Sequence, residues 1–189
     1  MASTSIPNIL SLFLLFSCIW TQLSAYSTET AKQNDDSIQK VCSNAVWTNS
    51  CLQTLKSYPG NATADLPGIA KVSVDLALSQ ASTIKSLIGT LFRQVSDPTN
   101  NTVLTACSNY FNEAIPRLNS ARNYLVVGDY DTVNVRATLA QESIYNCFIT
   151  LNDGPSPKLK TWTTNEFNYC NILCGTSGLL MGGKDYDCI

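Results

Sequence analysis

Beyond residue 65 the apolar positions recur at helical spacing. Ile69, Val72, Leu76, Ile84, Leu87 and Leu91 fall at steps of three, four and eight, which describe one face of a helix. That helix is expected to start at Asp65, with Pro67 tolerated in its first turn. Asp97-Pro98 reads as an N-cap followed by a proline at the first helical position, and opens a second helix. Its face carries Val103, Cys107, Tyr110, Phe111, Ala114, Leu118, Ala121 and Leu125. Pro116 interrupts this helix, where it removes a backbone hydrogen bond and is expected to kink the rod. Gly128-Asp129 is the turn into a third helix, with Val133, Ala137, Ala140, Ile144, Cys147, Phe148 and Leu151 on its face. The run Asn-Asp-Gly-Pro-Ser-Pro at 152–157 breaks the chain again. Thr163 and Glu166 fit a capping box for a fourth helix, which carries Phe167, Cys170, Leu173, Cys174, Leu180 and Met181 and ends at Gly182-Gly183. Upstream, residues 37–58 hold two short helical stretches around Cys42 and Cys51, closed by Pro59-Gly60. The pattern predicts an all-α fold: an up-and-down four-helix bundle preceded by a short helical hairpin arm. No strand alternation competes with it, and no internal repeat is visible.

The start of the chain has a different character. Its first 28 residues contain no charged side chain, and residues 9–20 are apolar or small apart from Ser11 and Ser17. Twelve residues are too few to span a bilayer, which takes about 20. Such a run near the start reads as the core of a secretory signal, with Leu23-Ser24-Ala25 as a cleavage site. The expected organisation is a signal peptide over 1–25, an arm over 26–64, and the bundle with its tail over 65–189. No membrane segment is expected in the mature form. Twelve Lys and Arg against fourteen Asp and Glu form no basic run, which argues against nucleic acid as a partner.

Secretion changes the reading of the cysteines. Of eight, Cys18 leaves with the signal, and the other seven favour disulfides over metal ligation. Cys107 lies 21 residues before Gly128 and Cys147 lies 19 after it. At about 1.5 Å per residue, the two sit within roughly 3 Å of the same height on antiparallel helices. A bridge between them is geometrically cheap, and two separate buried thiols is the alternative. Cys42 and Cys51 flank an expected turn at Trp47-Thr48-Asn49-Ser50, where a bridge would staple an arm too small to hold itself by a core. Cys170 and Cys174, one helical turn apart, read as small apolar core residues. Cys188 has three open choices: Cys174, Cys170 or another chain. Asn61-Ala62-Thr63 and Asn100-Asn101-Thr102 are glycosylation sequons, so Asn61 and Asn100 are expected in surface loops.

The chain contains no histidine. That excludes Ser-His-Asp and Cys-His nucleophilic catalysis and the usual His-containing zinc centres. No catalytic residue, metal or cofactor is expected.

These features together carry a likeness. An arm with Cys42 and Cys51, then a capped bundle whose second and third helices carry Cys107 and Cys147, resembles the plant invertase and pectin methylesterase inhibitor family. Ser57-Tyr58-Pro59 followed by Ala64-Asp65-Leu66 is similar to the family's junction of arm and bundle. Gly128-Asp129-Tyr130 followed by Asn134 is similar to its turn between the second and third bundle helices. The resemblance implies a proteinaceous inhibitor and not an enzyme. It would bind its target one to one in the apoplast or cell wall, or in the vacuole for a vacuolar target. Family invertase inhibitors use a Pro-Lys-Phe segment after the second bundle helix, where this chain has Tyr130-Asp131-Thr132. Family pectin methylesterase inhibitors more often read Gly-Asp-Tyr at the turn, as here. They also tend to place acids two, six and nine positions past the second-helix cysteine; here those places are Asn109, Glu113 and Pro116. The resemblance therefore implies a pectin methylesterase as target. Invertase inhibition and a secreted member that inhibits neither are the alternatives. The partner-binding residues it implies are Asn109, Glu113, Asp129, Tyr130, Asp131 and Asn146. In some precursors the family bundle precedes an esterase domain; none is expected after Ile189.

Overall fold

The computed structural model describes residues 35–59, 65–152, 154–183 and 188. The expected signal, the polar lead-in before residue 35 and the sequon at Asn61 lie outside the described residues. The described residues form six helices and no strand: α1 at 35–42, α2 Thr48–Lys56, α3 Leu66–Phe92, α4 Pro98–Val126, α5 Tyr130–Thr150 and α6 Pro157–Leu180. The last four form a ring in which α3 packs on α4, α4 on α5, α5 on α6 and α6 on α3. The short arm, α1 and α2, lies against α6.

All four long helices start with the same chemistry. Asp65, Asp97, Asp129 and Ser156 each accept a hydrogen bond from the backbone N–H three residues on, at 2.8, 2.9, 3.1 and 3.2 Å. Each satisfies a donor that the first turn leaves without a partner. A proline stands in the first turn of α3, α4 and α6, where its missing N–H costs nothing. The fourth cap is a correction. The helix starts at Pro157, so Thr163 and Glu166 are not its cap but fully buried residues inside it. The Thr163 hydroxyl bonds back to Leu159 O at 2.9 Å. Ser156-Pro157 outcompetes the later pair because it supplies both a cap and a preset φ.

The α4–α5 turn is tighter still. Gly128 takes φ +75°. Its N–H donates to Leu125 O at 3.2 Å, and Asp129 N–H donates to Tyr124 O at 3.1 Å. This pair of bonds closes the helix end, and it needs the left-handed residue that glycine supplies cheaply. Asp129 is thus bound into the end of α4 by its backbone and the start of α5 by its side chain.

The core runs through the ring, from Ala70, Ala77 and Ala81 on α3 to Phe111 and Leu118 on α4, Ile144 on α5 and Leu173 on α6. Leu76 and Leu87 are only half-buried, while Ala70, Val74, Ala77, Ala81 and Ile88 fill the inner seam of α3. Alanines let α3 approach its neighbours closely, so the seam follows the small residues rather than the large ones. α4 runs unbroken through Pro116, which is exposed. The helix does not end there, although the proline has no N–H to donate to the Asn112 carbonyl one turn back. Asn100 lies in the first turn of α4 instead of a loop. The arm turns at residues 43–47, and Thr48 is already helical, so the arm's turn precedes its expected place.

A second small core joins arm to bundle: Ile38, Val41, Cys42, Cys51 and Leu55 pack with Ile69 and Ile172. Two polar contacts fix the docking. Val46 N–H donates to Asn171 Oδ1 at 3.1 Å, and Asn168 Nδ2 donates to Ser50 Oγ at 3.1 Å.

Three disulfides are present among the described residues. Cys42–Cys51 staples the arm, and Cys107–Cys147 joins α4 to α5 with Cα atoms 4.6 Å apart. Matched heights on antiparallel helices account for the second. The third, Cys174–Cys188, corrects the reading of Cys174 as an unpaired core residue. Gly182 and Gly183, both at positive φ, follow the end of α6 at Leu180. Cys170 keeps its thiol and is buried.

Beside that thiol lies Glu166, fully buried. Its Oε1 meets Cys170 Sγ at 3.9 Å, and Oε2 has no partner among the described residues. Burial pushes the carboxyl well above its ordinary value of 4.5, with the Cys170 contact opposing. Burial pushes the Cys170 thiol up too, and Glu166 adds to it, so this cysteine is chemically quiet. Tyr169, partly buried, is raised by burial and by Glu166 and Tyr58.

Two outcomes follow. The native state holds the Glu166 proton to higher pH than the unfolded chain does. The stability it contributes is therefore full below the ordinary value of 4.5 and is lost as pH rises from there through the raised native value. Melting temperature measured against pH should fall across that window, and Glu166→Gln should flatten the fall. Separately, Cys107→Ser opens a bridge spanning 40 residues. On the chain-entropy account it should cost about 4 kcal/mol, and thermal melts should show a drop on the order of 10 °C. Cys170→Ser should cost much less.

Candidate functional site

Among the described residues no Cys, Asp and Glu side chains gather in threes that could hold a metal. What they offer is surface, and the cysteine bridge orders it. With Cys107 against Cys147, residues 109–117 of α4 run alongside residues 137–146 of α5 in the opposite direction.

On this face Asn109, Glu113 and Arg117 stand one turn apart on α4. Glu113 is exposed, with 57% of its side chain accessible, whereas Arg117 keeps only 29%. Arg117 Nη1 reaches across the groove and donates to Leu139 O at 2.6 Å and to Ser143 Oγ at 2.5 Å. Its Nη2 donates to Glu113 Oε2 at 3.2 Å, and the Ser143 hydroxyl donates to the same oxygen at 3.4 Å. Asn146 lies one turn beyond Ser143 and is half-buried. On the other flank Lys85 of α3 donates to Asn112 Oδ1 at 2.5 Å. The face is polar, and its central side chains are held by one another.

The structure separates the expected residues into two groups. Asn109, Glu113 and Asn146 share the middle of the α4–α5 face. Asp129, Tyr130 and Asp131 stand at the end of the bundle, about 20 Å further along α4 at 1.5 Å per residue. Their roles differ as well. Asp129 uses both carboxylate oxygens on Thr132, at 3.1 Å to the N–H and 2.8 Å to the hydroxyl, so it is a cap first. Tyr130 is half-buried at the first position of α5. Asp131 is exposed in the first turn, where its charge is favoured by the helix dipole.

Sequence reasoning passed over Arg117 and Ser143. The first had a signal, since Glu113 and Arg117 are four apart on a helix. Ser143 had none, because its role depends on how α5 faces α4. An aromatic patch was also missed. Trp47 of the arm loop meets Phe167 edge-on at 5.2 Å, and Tyr145 lies 6.0 Å from Phe167 and 6.3 Å from Phe148. With Val46 they line a hollow of about 240 Å³. A groove of about 430 Å³ runs between the start of α3 and the end of α4, past Lys71, Asp75 and Arg122.

Comparison with known proteins assigns this architecture. The family profile described as plant invertase/pectin methylesterase inhibitor matches residues 36–172. A pectinesterase inhibitor of Actinidia deliciosa is 29% identical over 157 residues, covering 82% of this chain and 85% of that one. A cell wall / vacuolar inhibitor of fructosidase from Arabidopsis thaliana is 29% identical over 133 residues, covering 69% and 73%. The crystal structure of a mutant form of a pectin methylesterase inhibitor from Arabidopsis shares the fold, with a TM-score of 0.71 at 19% identity, over 75% of this chain and 95% of that one. From its arm through most of α6, the chain belongs to the plant invertase/pectin methylesterase inhibitor family, whose members are inhibitors and not catalysts.

Proposed function

We propose that this chain inhibits a pectin methylesterase by binding it one to one and blocking its cleft. The observation that carries this reading is the rigid polar face of α4 and α5. Glu113 is held there by Arg117 and Ser143 before any partner arrives. A face ordered in advance loses little conformational entropy on binding. A cleft that accepts polar sugars is complementary to acids, amides and hydroxyls. The choice of esterase over invertase rests on the turn, which reads Gly128-Asp129-Tyr130 and has Tyr130-Asp131-Thr132 where invertase inhibitors carry Pro-Lys-Phe. The equal identity to a fructosidase inhibitor favours invertase as the second reading.

The setting we infer is extracellular. Residues 1–25 are removed as a signal, 26–64 form the arm, 65–189 the bundle and tail, and the mature protein acts in the cell wall. No helix among the described residues is long and apolar enough to cross a membrane.

Titration of the purified protein against one pectin methylesterase and one acid invertase tests the target. Esterase activity should fall in proportion to added inhibitor, to an endpoint near one equivalent, while invertase is spared. Strong invertase inhibition, with several esterases untouched, would replace this reading by the second. Two variants separate surface from scaffold. Glu113→Lys should weaken inhibition with little change in melting temperature, since exposed ion pairs contribute little to stability. Asp129→Ala should lower stability by about 1 kcal/mol through the lost cap, as read by chemical denaturation.

A further inference from the structure

We infer that Arg117 is a positioning residue for recognition: with Ser143 it fixes one oxygen of Glu113 so that the other stands ready as a directed acceptor for an uncharged donor of the partner. This inference rests on the proposed esterase target and on the α4–α5 face as its binding surface.

The geometry divides the Glu113 carboxylate in two. Oε2 receives Arg117 Nη2 at 3.2 Å and Ser143 Oγ at 3.4 Å. Oε1 has no hydrogen-bond partner among the described residues, on a side chain 57% exposed. Arg117 is itself immobilised, because Nη1 is spent on Leu139 O and Ser143 Oγ of the neighbouring helix. A guanidinium of α4 pinned to α5 thereby orients the carboxylate one turn before it on its own helix, which its planar fork is suited to do.

Clamping α4 to α5 does not require this network. The Cys107–Cys147 bridge already joins the two helices. What the network adds is orientation and charge balance. Glu113 beside Arg117 is a neutral pair, so it attracts a partner weakly at long range and recognises it through a directed hydrogen bond. A hydroxyl, amide or backbone N–H suits that acceptor better than a lysine or arginine, which would meet the Arg117 charge. Binding through this point is therefore expected to depend little on salt.

A double-mutant cycle tests the assignment. Wild type, R117M, E113Q and the double variant are assayed for inhibition of one pectin methylesterase at low and high salt, and their melting temperatures are recorded. We expect R117M to weaken inhibition about tenfold when Glu113 is present and less than about threefold in the E113Q background, a coupling typical of residues in one network. R117M alone should also make inhibition more salt-dependent, because it leaves Glu113 as a bare anion. S143A should reproduce part of the loss. Equal losses from R117M in both backgrounds, with unchanged salt dependence, would overturn the inference by assigning Arg117 a purely structural or direct role. If E113Q leaves inhibition intact while the wild type still inhibits, Glu113 is not the recognition point and the inference falls alone. If the wild type inhibits no esterase, the target reading falls and takes the inference with it.

Discussion

Burial of α6 is the constraint that places the rest of this molecule. From Glu166 to Gly178 every residue but Tyr169 is buried, whether apolar or polar. A helix enclosed to that degree must be covered on several sides at once. Here α3 and α5 supply two sides and the arm supplies another. The arm is therefore a lid on α6, and its two short helices would have little reason to fold apart from it. The polar residues on α6 explain the specificity of the arrangement. Asn168 Nδ2 donates to Ser50 Oγ, and Asn171 Oδ1 accepts from the Val46 N–H. On the side facing α5, Asn134 Nδ2 donates to Cys174 O at 3.0 Å. Each of these contacts needs one register, and a slip would leave a buried polar group without its partner.

The same enclosure explains what could be read from the sequence. Helices α3, α4 and α5 are each covered on part of their circumference, so their apolar stripes and Asp caps were legible. The height argument for Cys107 and Cys147 worked because Gly128 fixes the turn between two regular rods. α6 defeated the same method. Its burial on many sides erases the stripe, and Thr163 and Glu166, polar in type, imitated a start signal in the second and third turns of a helix already under way. The pairing of Cys174 was hidden for a related reason: helical spacing places it one turn from Cys170, and spacing alone does not decide which of them meets Cys188.

The candidate face shows a different kind of illegibility. Asn109, Glu113 and Asn146 were named through the likeness to a known family, and they stand on α4 and α5. Arg117 and Ser143 matter through contacts between helices, which no periodicity encodes. Their network turns a flexible exposed glutamate into a fixed one. At the turn, Asp129 also serves the scaffold, since both its oxygens take part in the cap of α5.

Asp129 also limits how such a protein can be altered. It belongs to the closing bonds of α4 through its backbone and to the opening bonds of α5 through its side chain. The link between the two helices therefore has no spare residue. Lengthening or shortening it would rotate α5 by about 100° per residue against the register that the bridge at Cys107 enforces. For protein engineering this makes the hairpin an exchange cassette of fixed length. New sequences can be written into it residue for residue, provided that the Gly-Asp pair stays, but they cannot be spliced in. A donor segment installed over residues 130–132 would also remove the Thr132 hydroxyl that the cap uses, so a successful graft would carry a threonine or serine at that third place.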